Sequence, residues 1–150
     1  MTHISEVNWG ETSAYDIDCT FQCAKICLDP KLKFFDDCFV KSNGERIPGF
    51  GMSDIDGVVE RNGQVLFMEW KRPGVHLTPG QLRLHQELTK NSRRQKTIVV
   101  WGDPQHMTCE RFAIIQNGQW LNQGENCDID GLKERIHQWF IRADLFNALP

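Results

Sequence analysis

The dipeptide Asn62-Gly63 constrains the fold of this chain more than any other pair of residues. Both residue types tolerate positive φ, which a two-residue hairpin turn demands at both central positions. Residues 55–60 before it and 64–70 after it each read as a strand. The sequence therefore predicts an antiparallel hairpin here. Its second strand runs through four apolar residues, Val65 to Met68, into the triplet Glu69-Trp70-Lys71, and Pro73-Gly74 ends it.

Other elements arrange themselves around this unit. Residues 15–23 alternate like a strand, whereas 24–28 fit a helix better, and Asp29-Pro30 closes either one. Residues 33–41 are aromatic and β-prone, and predict a strand followed by turns at Asn43-Gly44 and Pro48-Gly49. Thr78-Pro79-Gly80 opens a helix running to about residue 91, with Thr78 as N-cap and Leu84 and Leu88 as its apolar stripe, flanked by Leu82 and His85. Residues 97–101 form a short buried strand. Residues 112–115 and 119–121 flank Asn117-Gly118 as a second hairpin. An amphipathic helix over 130–148 carries Leu132, Ile136, Phe140 and Leu145. This order predicts an α/β fold, one domain over 1–150, with a mixed β-sheet flanked by helices.

Composition narrows the classes. A net charge of −3 gives no global signal for nucleic acid, although local patches decide phosphate contacts. No apolar run approaches the roughly 20 residues that span a bilayer, so no membrane partner is expected. The polar first ten residues lack a signal-peptide layout, which points to the cytoplasm. Six cysteines in a reducing compartment read as thiols rather than a disulfide framework. Cys19, Cys23 and Cys27 recur every four residues; core packing is the favoured reading over zinc or an iron–sulfur cluster.

The chemistry sits on the first hairpin. Residues two apart share a strand face, so Glu69 and Lys71 point together and Trp70 points away, into the core. Asp56 and Glu69 lie almost symmetrically about the turn and become near cross-strand neighbours. Two carboxylates so placed repel unless a cation lies between them, and Mg²⁺ is commonly held by one or two carboxylates. A lysine beside such an ion can orient a water or offset charge on a phosphate. The competing reading of Glu-x-Lys on a strand is a solvated ion pair.

The pattern Asp56, apolar residues, a turn, an apolar strand, then Glu69-x-Lys71 resembles the PD-(D/E)XK nuclease superfamily, over residues 53 to about 88. That superfamily includes restriction endonucleases, Holliday junction resolvases and phage repair or recombination nucleases. The resemblance implies a restriction-endonuclease-like core and hydrolysis of phosphodiester bonds in DNA. It implies Mg²⁺ or Mn²⁺ held by Asp56, Glu69 and the Trp70 backbone carbonyl, with Lys71 catalytic. A prokaryotic or phage-infected cell is the expected setting. Ile55 stands where the motif usually has proline. Asp54 competes with Asp56 for the metal; the thirteen-residue step from Asp56 to Glu69 matches compact family hairpins better than the fifteen from Asp54, which is kept as an auxiliary.

Gln81 occupies the place of a glutamine often found early in the following helix, where it serves either the site or merely the helix's first turn. His85, one turn on, reads as a packing or surface histidine. A glutamate on a first helix is also common, with Glu6 and Glu11 as candidates. Arg72 adjoins the site and suits a phosphate contact. Lys90, Arg93, Arg94 and Lys96 either track nucleic acid or offset the helix C-terminal dipole. A homodimer through Trp139, Phe140 and Phe146 competes with packing of that helix on its own sheet, the favoured reading. The rival to an enzyme is a silent module of the same fold that binds nucleic acid or protein.

Overall fold

A computed structural model describes residues 33–122 and 124–146 of the chain. The chain divides into two compact units, Met1–Asp54 and Ile55–Pro150. The expectations placed on residues 15–28, on Glu6 and Glu11, and on Cys19, Cys23 and Cys27 lie outside the described residues.

In the first unit, residues 33–41 do not form the expected strand. Lys33–Cys38 is a 3-10 helix, and only Val40 pairs, in an isolated antiparallel bridge to Arg46. The adjacent Asp36 and Asp37 explain this, because aspartate is depleted in strands and favours tight turns. The Phe39 N–H closes the helix on the Asp36 carbonyl at 3.1 Å, and Arg46 pairs with Asp37. Gly44, at φ +87°, makes the turn between the bridging residues.

The second unit holds a six-stranded mixed sheet and two helices. Strands β1 (Gly57–Arg61) and β2 (Gln64–Lys71) form the predicted hairpin, with Arg61 opposite Gln64. Asn62 and Gly63 have φ of 53° and 81°, the two positive values of a type I′ turn. From β2 the chain crosses through helix α1 (Pro79–Thr89) to β3 (Gln95–Asp103), which runs parallel to β2. The remaining strands, β4 (Thr108–Gln116), β5 (Gln119–Trp120) and β6 (Glu125–Asn126), add antiparallel pairings. Helix α2 (Ile129–Leu145) ends the unit.

Alternation divides the sheet into two faces. Val99, Trp101, Ala113 and Ile115 pack with Leu77 and Leu82 on the α1 side. Leu66, Ile98 and Phe112 turn to α2, against Ile136 and Trp139. Val99 and Ile115 are wholly buried, a burial worth about 1.5–3 kcal/mol each. At Gly102 the β3–β4 register shifts, and a Cβ there would lie 2.0 Å from the Thr108 carbonyl oxygen. Glycine alone permits that approach.

Both helices differ from the apolar stripes read in the sequence. On α1 the buried residues are His85 and Thr89, whereas Leu84 and Leu88 are only half-buried. On α2 they are Leu132, Trp139 and Ala143, while Phe140 and Leu145 are exposed. The steps 132, 136, 139 and 143 follow the helical period more closely than 132, 136, 140 and 145. Helix α2 thus packs on its own sheet. No helix among the described residues is long and apolar enough to cross a membrane.

Candidate active site at the carboxyl ends of β2 and β3

The hairpin register sets the site. Gly57 is the last residue of β1 to pair, opposite Met68, and Asp56 lies just before it in a bend. Continued pairing would give Trp70 N–H a backbone carbonyl; instead it donates to Asp56 Oδ2 at 2.7 Å. A strand residue's N–H and C=O point to the same edge, so the Trp70 carbonyl lies on the Asp56 side too. The Trp70 indole turns the other way and is buried, as expected from alternation. Its Nε1 has no hydrogen-bond partner among the described residues.

Glu69 is 2% exposed, so its carboxylate depends on protein donors. Helix α1 supplies them. Gln81 Nε2 donates to Glu69 Oε1 at 3.0 Å, and His85 Nε2 lies 3.3 Å from Oε2. Gln81 holds its orientation through the capping box: its Oε1 accepts from Thr78 N–H at 3.1 Å, and its own N–H donates to Thr78 Oγ1 at 3.2 Å. The two roles weighed for Gln81, helix start and site, are thus played by one side chain.

His85 is wholly buried, and its Nδ1 lies 2.8 Å from Thr97 Oγ1 on β3. A carboxylate oxygen only accepts, so Nε2 carries the proton facing Glu69; in the neutral ring Nδ1 then accepts from the Thr97 hydroxyl. Reading His85 as a packing or surface residue missed this bond. The available signals were its place one helical turn after Gln81 and the threonine opening the apolar run 97–101. The chain continues through Thr89, whose Oγ1 donates to the His85 carbonyl at 2.9 Å and accepts from Gly118 N–H at 3.1 Å.

Lys71 lies on the same face as Glu69, half-buried, opposite Trp101 in the parallel register. Trp101 Nε1 donates to the Val75 carbonyl at 2.7 Å, which fixes the chain leaving β2. The Arg111 guanidinium stacks over Trp101 at 3.8 Å. Arg72 is exposed just beyond Lys71. Asp54 is half-buried and falls in the first unit, while Asp56 falls in the second.

The other basic residues do not gather at this end. Val65 pairs with Gln95 and Lys71 with Trp101, so Arg93 and Arg94 sit at the opposite end of the parallel pair. Six residues of strand put them roughly 20 Å from Lys71. Arg94 stacks over Phe146, and Lys90 pairs with Glu87. Lys96 faces α2, lining a cavity of about 120 Å³ with Arg142. Burial, then the Arg142 charge, pushes its ammonium below the usual lysine range. The parallel register places Arg93, Arg94 and Lys96 at the end of the strand pair away from Lys71.

Asp56 and Glu69 carry oxygen donors of the kind a hard divalent cation takes, and both oxygens of Glu69 also face Gln81 and His85. Among the described residues no group of three or more His, Cys, Asp or Glu side chains is placed to hold an ion. A Mg²⁺ site needs fewer, because water and substrate phosphate complete its shell. The position matches the general preference of open α/β sheets for ligands beyond the carboxyl ends of parallel strands. Comparison of the chain with protein families, with curated proteins and with solved structures finds no match.

Proposed function

We propose that the second unit is a metal-dependent nuclease of the PD-(D/E)XK type, with a restriction-endonuclease-like core, acting on phosphodiester bonds in DNA. One observation carries the reading. The Asp56 carboxylate accepts from the Trp70 N–H at 2.7 Å, between Glu69 and Lys71 in sequence, and those two residues share a face at the carboxyl end of the parallel strands. Asp56, Glu69 and the Trp70 carbonyl would hold Mg²⁺ or Mn²⁺. When bound, the ion would polarise the phosphate and raise the acidity of water. Gln81 and His85 fix the rotamer of Glu69. Lys71 presents an ammonium to the attacking water and the phosphate, and Arg72 contacts a neighbouring phosphate. Arg93, Arg94 and Lys96 would contact nucleic acid only along a path reaching the far end of the sheet.

The test is cleavage of plasmid, single-stranded and branched DNA with Mg²⁺ or Mn²⁺. Asp56→Asn and Lys71→Ala should each lower the rate on the order of 100-fold or more. Folded wild type that cuts none of these substrates would overturn the proposal.

A second reading is a silent module of the same fold that binds nucleic acid or a protein. It is favoured by the burial of Glu69, each of whose two oxygens already faces a partner, Gln81 or His85. Calorimetric titration with Mn²⁺ separates the two: the enzyme binds the ion and Asp56→Ala abolishes binding, whereas the silent module takes up none.

A further inference from the structure

Away from the candidate site, two thiols meet. Cys109 Sγ and Cys127 Sγ lie 3.4 Å apart. Cys109 belongs to β4 and is buried; Cys127 is half-buried, between β6 and the Asp128 N-cap of α2. The backbone holds the pair from both sides. Cys127 N–H donates to the Glu110 carbonyl at 3.0 Å, and Asp128 caps α2 by accepting from Gly131 N–H at 2.8 Å. A disulfide needs about 2.05 Å between sulfurs, so closure asks for a side-chain movement of roughly 1.4 Å. Two thiols make only half of a tetrahedral zinc shell, and no described residue completes a group of three.

We propose that Cys109 and Cys127 form an oxidation site that closes to an intramolecular disulfide by exchange with a low-molecular-weight disulfide such as oxidised glutathione. Burial, then the Cys127 thiol beside it, pushes the Cys109 thiol up to about 12. Cys127, the more exposed of the two, therefore reacts first. Its thiolate attacks one sulfur of the small disulfide, forms a mixed disulfide and expels one thiolate, which takes up a proton. Cys109 then loses its proton and attacks Cys127 Sγ, expelling the second small thiol. Two protein thiols and one disulfide become one protein disulfide and two small thiols, so atoms and electrons balance. The bond staples β4 to the head of α2 across 18 residues. Closing such a loop raises the melting midpoint on the order of 10 °C. This inference does not depend on the nuclease reading.

The experiment incubates the folded full chain with oxidised glutathione, blocks free thiols and maps linked peptides by mass spectrometry. The expected result is a Cys109–Cys127 cross-link, with the raised midpoint reversed by reductant. Cys127→Ser should abolish both, and Cys109→Ser should trap glutathione on Cys127. Circular dichroism shows which variants fold; should Cys109→Ser fail, the wild-type and Cys127→Ser maps suffice. Recovery of both cysteines as blocked free thiols overturns the proposal. So does persistent glutathione on Cys127 of the wild type, or linkage of either residue to another cysteine instead.

Discussion

Substituting His85 tests whether the carboxylate of Glu69 is held from α1. The ring is wholly buried, edge-on to Phe67 at 6.4 Å, and lies between Glu69 and Thr97. Three substitutions divide its contributions. Leucine fills most of the volume but donates nothing, so Glu69 Oε2 loses one donor inside the protein, costing about 1–3 kcal/mol. Alanine adds a cavity, and large-to-small changes in a core cost about 2–5 kcal/mol. The sum for alanine, roughly 3–8 kcal/mol, is a large share of a domain stability of about 5–15 kcal/mol. Glutamine retains both a donor and an acceptor at similar reach and should recover about 1–2 kcal/mol relative to leucine. Urea unfolding followed by tryptophan fluorescence ranks the series as wild type, glutamine, leucine, alanine. If leucine unfolds within ~0.5 kcal/mol of wild type, or matches glutamine, the ring is mere filling and the argument for Glu69 fails.

Lys96→Met probes the face behind the site. The folded value of Lys96 lies below its unfolded one, so between the two the unfolded chain holds more protons and stability rises with pH through that window. Lys96→Met should flatten that rise in denaturation midpoints measured from neutral to alkaline pH. After solvent screening it should add no more than about 1 kcal/mol at pH 7; a loss of stability would contradict the assigned cause. Gly102→Ala sets a Cβ 2.0 Å from the Thr108 oxygen and should cost about 3 kcal/mol or more by chemical denaturation. A loss under ~1 kcal/mol would mean that the strands part there easily.

Local rules were legible in the sequence. Asn62-Gly63 makes its turn, and Thr78 caps its helix with Pro79 as the next residue, because both depend on a few consecutive residues. The strand positions of Glu69, Trp70 and Lys71 followed from alternation alone. The inward face of α1 was misread for a physical reason. Apolar periodicity assumes an apolar partner, whereas this helix turns Gln81 and His85 toward a buried carboxylate. The first residues of β4, 108–111, escaped notice because they alternate between exposed and more buried positions without an apolar run. The separation of Arg93, Arg94 and Lys96 from Lys71 follows from the parallel register of β2 and β3, a non-local pairing that no neighbouring residues encode.

The turn at Asn62 also limits how this sequence can vary. Ordinary hairpins accept asparagine, aspartate or glycine at that position, since each tolerates the left-handed backbone. Here the Asn62 amide also reaches across to the end of α2, donating to the Ala143 and Asp144 carbonyls at 3.1 Å each. Aspartate would keep the turn but turn a carboxylate toward two carbonyls at a helix's negative end. Glycine would keep the turn and leave the helix end without that donor. A position that looks interchangeable by local chemistry is thereby narrowed to one residue, and the same amide ties the hairpin bearing Asp56 and Glu69 to the helix behind the sheet.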